Sequence, residues 1–169
     1  MERLWSPWRL EYVTGSQPKA DCIFCVGAIH RSPLQSSQSD LIVFQGKTAY
    51  VILNKYPYNN GHLLVVPYRH VSALVALTAE ELAEIALLTQ RSEAALLETY
   101  HPQGFNIGIN LGKAAGAGIE EHLHAHIVPR WNGDTNFMTV VGTMRVLPEN
   151  LGDSAARLRS IFAKSAAPT

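Results

Sequence analysis

Residues 122–128 read His-Leu-His-Ala-His-Ile-Val, and this two-residue alternation constrains the fold more than any other feature of the chain. On a β-strand it puts His122, His124 and His126 on one face and turns Leu123, Ala125 and Ile127 into the opposite layer. Neighbouring imidazoles would then stand about 7 Å apart, two residues of rise. Such a row can span a phosphate chain or surround a metal ion.

The flanking sequence predicts more strands. Leu41 to Phe44, Ala49 to Leu53 and His62 to Pro67 are apolar, β-branched runs. Gln45-Gly46-Lys47 joins the first two as a hairpin, and Pro57 with Asn59-Asn60-Gly61 turns the chain into the third. An antiparallel meander follows. Thr78 with Glu81 forms a capping box, and Leu82, Ile85, Ala86, Leu88, Ala95 and Leu96 recur at helical spacing through to Thr99. Gly104 to Asn110 and Glu121 to Val128 read as strands, and a last helix runs from about Asn150 to Ala163. Strands, a long helix, more strands and a C-terminal helix predict an α+β fold on an antiparallel sheet of about five strands.

With 169 residues, no internal repeat and no compositional break, the chain is expected to be one domain with its core at about 22–130. Gly15 to Asp21 and His30 to Asp40 are turn-rich, the latter a surface loop. The formal net charge is zero, so nothing in bulk electrostatics favours nucleic acid or a membrane surface, and phosphate binding must be local. No apolar run reaches the ~18 residues of a spanning helix, and the N-terminus lacks the apolar region of a signal peptide. The expectation is a cytoplasmic protein whose cysteines, Cys22 and Cys25, stay reduced.

Between the last two predicted strands, Asn110-Leu111-Gly112-Lys113-Ala114-Ala115-Gly116-Ala117-Gly118 supplies small residues that let backbone N–H groups approach an anion. Beside three histidines this makes a phosphate and oxyanion site. A neutral imidazole with its second nitrogen pinned is a nucleophile for phosphorus, and a neighbouring histidine can protonate the departing phosphate. The other readings are an ordinary exposed strand face and a metal-dependent oxygen-chemistry site, which would have no use for the glycine loop. Cys22-Ile23-Phe24-Cys25 has the spacing of half a zinc site. It also suits a redox dithiol, though without the usual βαβ context, or two buried small hydrophobes.

The run His122 to Val128 resembles the signature of the histidine-triad (HIT) superfamily. So do Asn54, Gly61-His62-Leu63-Leu64-Val65-Val66-Pro67 and Arg69-His70, and the likeness spans about Cys22 to Pro129. Leu4-Trp5-Ser6-Pro7-Trp8-Arg9 and Pro129-Arg130-Trp131-Asn132-Gly133-Asp134-Thr135-Asn136-Phe137 resemble the bacterial branch containing diadenosine tetraphosphate phosphorylases and hydrolases. The resemblance implies a HIT-like fold and a nucleotidyl-histidine enzyme acting on adenine dinucleoside polyphosphates. His124 would be the nucleophile, oriented by the main-chain carbonyl of His122; His126 would contact phosphates and His62 would stand behind His122. Asn54 would contact the nucleoside, while Asn110, Gly112, Gly116 and Gly118 would lie at the phosphates. It also implies structural zinc on Cys22, Cys25, His70 and His122, and a homodimer.

Many family hydrolases carry Gly-Gln-Ser/Thr before the triplet, whereas this chain has Gly116-Ala117-Gly118-Ile119-Glu120-Glu121. That departure resembles the phosphorylases, in which inorganic phosphate is the acceptor. The alternatives are a water-using dinucleoside polyphosphate or phosphoramidate hydrolase, and a nucleotide-binding regulatory module with little catalysis. His30 and His101 read as surface residues; Trp5, Trp8 and Trp131 read as core or interface aromatics, or as stacking partners for a base.

Overall fold

The computed structural model describes residues 22–28, 40–134 and 149–164. Strands β1 (Ile42–Gln45), β2 (Ala49–Leu53), β3 (Leu63–Pro67), β4 (Gly104–Ile109) and β5 (Ala125–Arg130) form one antiparallel sheet in the order β1-β2-β3-β5-β4. Helix α1 (Ile23–Ala28) precedes the sheet, α2 (Ala79–Tyr100) joins β3 to β4, and α3 (Leu151–Lys164) follows β5. This is the expected α+β architecture.

Register decides what each face carries. Leu63, Val65 and Ile127 are fully buried, as is Val51 opposite Val65, so one face is sealed core. The alternate positions put His126 beside Leu64 and Gly108. One step beyond the paired ends of β2 and β3, the Asn54 N–H donates to the His62 carbonyl at 2.9 Å. Ile109 pairs with Ala125, so Asn110 follows on beside His124. Gly61 leads into β3 at φ 75°, where a Cβ would lie 2.9 Å from the Leu96 side chain. Only glycine meets both demands without strain.

Helix α2 buries Ile85, Leu88, Ala95 and Leu96 of the stripe read from the sequence, and Ser92 besides, but Ala86 is exposed and Leu82 stays 42% exposed. In that first turn Glu81 takes the inward place. Its carboxylate accepts from Arg69 at 2.6 and 2.9 Å and from the Thr78 N–H at 2.8 Å, closing the predicted capping box. A buried charge is tolerable when paired this fully. Helix α3 packs against α2 and β1 through Ala155, Leu158 and Phe162, with the Phe162 ring stacked on Phe44 at 5.3 Å.

The Arg69 side chain, then the Thr78 N–H, hold the Glu81 carboxyl down at about 2. A depressed acid stabilises the fold above its unfolded pKa of about 4.3 and loses that contribution as pH falls through the folded value. Glu81→Gln is therefore expected to cost about 1–2 kcal/mol at pH 7. Denaturant titrations should show the difference shrinking towards zero near pH 2; an equal difference at both pH values would contradict the assignment.

Candidate active site

Three segments converge on the histidine face: the end of β3, the run entering β5, and α1. The strand carrying the triplet is shorter at its start than the sequence predicts. β5 begins at Ala125, so only His126 sits in the ladder; His122 lies in a bend and His124 in the irregular segment before the strand. The Leu123 N–H explains the difference, because it bonds to the Val71 carbonyl at 2.6 Å instead of joining a strand partner. The rings are also closer than strand rise alone would place them. His124 and His126 have centroids 4.8 Å apart at 62°, an edge-to-face contact made by side chains that lean together.

Hydrogen bonds assign each ring its tautomer. Nδ1 of His124 lies 2.8 Å from the carbonyl oxygen of His122. A carbonyl only accepts, so Nδ1 carries the proton and Nε2 keeps its lone pair. His124 is 5% exposed, and burial outweighs the carbonyl in pushing its pKa down, which favours the neutral ring. Phe24 of α1 packs on it at 4.9 Å between centroids. His122 is fully buried and has its Nε2 2.9 Å from the Pro67 carbonyl, so that nitrogen is the donor and Nδ1 the acceptor. Burial likewise lowers its pKa, opposed by the Pro67 carbonyl.

His62 is placed differently from the expectation. It meets His126 and does not back His122: its Nε2 lies 3.0 Å from Nδ1 of His126, while both nitrogens of His122 face other partners. The register accounts for this, because β3 neighbours β5 at the level of His126. Nδ1 of His62 takes the Tyr58 N–H at 3.1 Å and faces Nδ2 of Asn54 at 3.3 Å. The Tyr56 N–H donates to Oδ1 of Asn54 at 3.0 Å, which fixes the amide with its NH₂ towards His62. Asn54 thus holds a histidine, whatever else it touches.

The glycine loop contains a short 3-10 turn, Lys113–Ala115, with Gly112 and Gly116 at φ 76° and 81°. The N–H groups of Ala115, Gly116 and Ala117 close onto the carbonyls of Gly112 and Lys113. An anion cradle here must therefore draw on other N–H groups of the loop. Gly112, Gly116 and Gly118 are exposed, Asn110 is half-buried, and a Cβ on Gly112 or Gly116 would meet nothing within 4 Å.

Behind the triad, Cys22, Cys25, His70 and His122 bring one ligand atom each to within 4.8 Å of one another. Nδ1 of His122 lies 3.3 Å from Sγ of Cys22 and 3.5 Å from Sγ of Cys25, and His70 Nδ1 lies 3.3 Å from Sγ of Cys25. A tetrahedral ion with Zn–S of about 2.3 Å and Zn–N of about 2.0–2.1 Å needs S···N edges near 3.5 Å, so this donor set could hold a metal ion. The Pro67 carbonyl orients His122 from its far side, the usual outer support of a ligating histidine.

The sequence reading missed Phe24, Tyr58, Asn59 and Asp134. The Tyr58 ring stacks on His62 at 4.9 Å and lies 6.2 Å from His126. Asn59 is 7% exposed, and its amide donates to the Pro129 carbonyl at 2.9 Å and to Asp134 at 2.8 Å. Arg130 grips Asp134 through two nitrogens and holds its carboxyl well below the usual range. An aromatic residue inside the turn before His62 was the available signal. His101 is exposed and Trp131 half-buried, whereas Trp5, Trp8, His30, Thr135, Asn136 and Phe137 lie outside the described residues.

A HIT domain model matches residues 35–133. A Mycobacterium tuberculosis protein named AP-4-A phosphorylase is 42% identical over 167 residues, 97% of this chain and 86% of its own. Bis(5'-adenosyl)-triphosphatase of Dictyostelium discoideum is 36% identical over 89 residues, 53% of this chain and 59% of its own. A Zn-bound histidine triad family protein from Mycobacterium smegmatis has a solved structure with a TM-score of 0.68 at 30% identity, covering 86% of this chain and 95% of that one.

Asn59 pins the turn that carries Tyr58 to the end of β5. Asn59→Ala leaves a buried carbonyl and carboxylate short of a donor, at an expected cost of about 1–3 kcal/mol. Urea unfolding with an unchanged m-value should show it; wild-type stability would contradict the pinning.

Proposed function

The chain belongs to the HIT domain family, and on that premise we propose that it cleaves dinucleoside polyphosphates, with diadenosine tetraphosphate as the type of substrate, through a nucleotidyl group carried on His124. The observation that carries this is the bond from Nδ1–H of His124 to the His122 carbonyl, which leaves Nε2 as a neutral nucleophile in a largely dry setting. Nε2 attacks the α-phosphorus, forming a P–N bond as the P–O bond to the departing nucleotide breaks. His126 Nε2 and the glycine loop donate to phosphate oxygens, Asn110 lies beside the reacting centre, and Asn54 borders the nucleoside.

Inorganic phosphate is the acceptor in this reading, releasing ADP and returning the electron pair to His124. The 42% identity to a protein named AP-4-A phosphorylase supports it. So does the run Gly116-Ala117-Gly118-Ile119-Glu120-Glu121, which lacks the Gln and hydroxyl residue of many family hydrolases. Among the described residues no helix is long and apolar enough to cross a membrane. We assign the activity to the cytoplasm, to residues 1–169 as one HIT domain, and to a homodimer; β4 ends the sheet and leaves an edge for pairing.

Zinc is the ion we assign to Cys22, Cys25, His70 and His122, four residues that would hold it as a structural cross-link. The zinc-bound structural relative supports that choice.

Incubation with diadenosine tetraphosphate, with and without phosphate, tests the reaction. ADP formed only with phosphate is expected; AMP and ATP under both conditions would make water the acceptor. Absence of cleavage would remove the enzyme reading. His124→Ala should lose at least about 10³-fold in turnover while still binding nucleotide. Metal analysis should find about one zinc per chain, with a chelator lowering the melting temperature. Substoichiometric metal with undiminished stability would contradict the zinc assignment.

A further inference from the structure

We propose that Asn54 and the Tyr58 main-chain N–H lock His62 and His126 as a neutral, one-way pair, so that the site takes leaving groups that depart as anions and discriminates against those that need a proton. This rests on the reading of His124 as nucleophile and deepens it by naming the leaving-group class.

The lock is a series of donors running in one direction. The Tyr58 N–H and the Asn54 NH₂ both point at Nδ1 of His62, at 3.1 and 3.3 Å. A proton on that nitrogen would set N–H against N–H, so the proton of His62 resides on Nε2. Nε2 of His62 faces Nδ1 of His126 at 3.0 Å. That bond needs a lone pair on His126 Nδ1, which leaves the His126 proton on Nε2. The main-chain source of one donor makes the direction independent of pH, and the Asn54 amide cannot rotate without abandoning the Tyr56 N–H on its Oδ1. His62 is fully buried, so no water competes for these positions.

A ring held in this state is a hydrogen-bond donor and a poor acid. Releasing the Nε2 proton of neutral His126 would create an imidazolate. Passing a proton along from His62 would only move that anion to His62, which has no second proton to give. The chemistry must therefore balance without proton transfer. The P–N bond to His124 forms and the P–O bond breaks. The bridging electron pair leaves on the nucleotide oxygen, and the His126 proton stays where it is, bonded to a phosphate oxygen. A terminal phosphate, with a second pKa of about 6, leaves readily as an anion. An amine bound through P–N does not, since expelling it requires a proton on nitrogen. The expectation from sequence that a neighbouring histidine protonates the leaving group gives way here to one that only donates a hydrogen bond. Asn54 is a positioning residue in this scheme, acting through His62.

The test compares two substrates that share the adenosine 5′-phosphoryl unit: diadenosine tetraphosphate, and adenosine 5′-monophosphate joined to an alkylamine by a P–N bond. Any contact between Asn54 and the nucleoside is common to both and cancels in the ratio. The wild type is expected to favour the tetraphosphate by at least about 10³-fold in kcat/KM, the range a missing acid catalyst accounts for. Asn54→Asp combined with Tyr58→Pro removes both donors and offers an acceptor to Nδ1 of His62, so that His62 can hold a proton there and one can reach the amine through His126. The ratio should fall about tenfold or more, while Asn54→Ala, which keeps the Tyr58 donor, retains it. Ring ¹⁵N spectra of the wild type should place the protons of His62 and His126 on Nε2. A wild-type ratio within about tenfold, or His62 protonated on Nδ1, would overturn the proposal. Failure to cleave the tetraphosphate would instead defeat the underlying reading, and the ¹⁵N spectra would still decide the lock.

Discussion

The contact on which the site depends is the hydrogen bond from Nδ1 of His124 to the carbonyl of His122, at 2.8 Å. It decides which nitrogen keeps its lone pair, and it does so with a main-chain group that cannot change protonation. His122 makes it from a fixed position. Its other ring nitrogen is anchored to Pro67, its Nδ1 faces the cysteines, and the ring itself is fully buried. One residue therefore joins the cluster of Cys22, Cys25, His70 and His122 to the ring proposed as the nucleophile. Anything that shifts α1 or the end of β3 is felt at His124 through a single peptide carbonyl.

Burying histidines is costly unless each polar atom finds a partner. Among the described residues no buried side-chain nitrogen or oxygen lacks one. The satisfaction is also directional: carbonyls take the protons of His122 and His124, whereas N–H donors address Nδ1 of His62 and Nε2 of His62 addresses His126. The triad is thus held by two kinds of partner with opposite polarity. One leaves the lone pair of His124 on Nε2 and the other addresses Nδ1 of His126 with a donor, a division set by backbone geometry and the sheet register.

Much of this was legible in the sequence because it follows from periodicity and capping. The alternation from His122 to Ile127 pointed to neighbouring imidazoles, and the rings of His124 and His126 do meet, while Thr78 with Glu81 gave the start of α2 to the residue. The grouping of Cys22, Cys25, His70 and His122 came from resemblance, and the structure brings the four together as a set that could hold a metal ion. What stayed hidden depends on pairing between distant segments. The Val71 carbonyl draws Leu123 out of the ladder and delays β5 to Ala125. The partner of His62 depends on which residues of β3 and β5 stand opposite, which no local pattern encodes. Leu82 lost its predicted inward place to Glu81, because a carboxylate gripped by Arg69 and Thr78 can be buried there. Loop N–H groups expected to be open are spent on internal turns, a detail set by the backbone dihedrals of Gly112 and Gly116.

The central claim is that a nucleotide is briefly bonded to Nε2 of His124. Rapid acid-free quenching of the protein with α-³²P-labelled diadenosine tetraphosphate in the absence of phosphate, followed by peptide mapping, addresses it directly. The account predicts an acid-labile, base-stable adenylyl group on the peptide containing His124, discharged when phosphate is added. Label on another residue, or turnover with no label at any time, would contradict it.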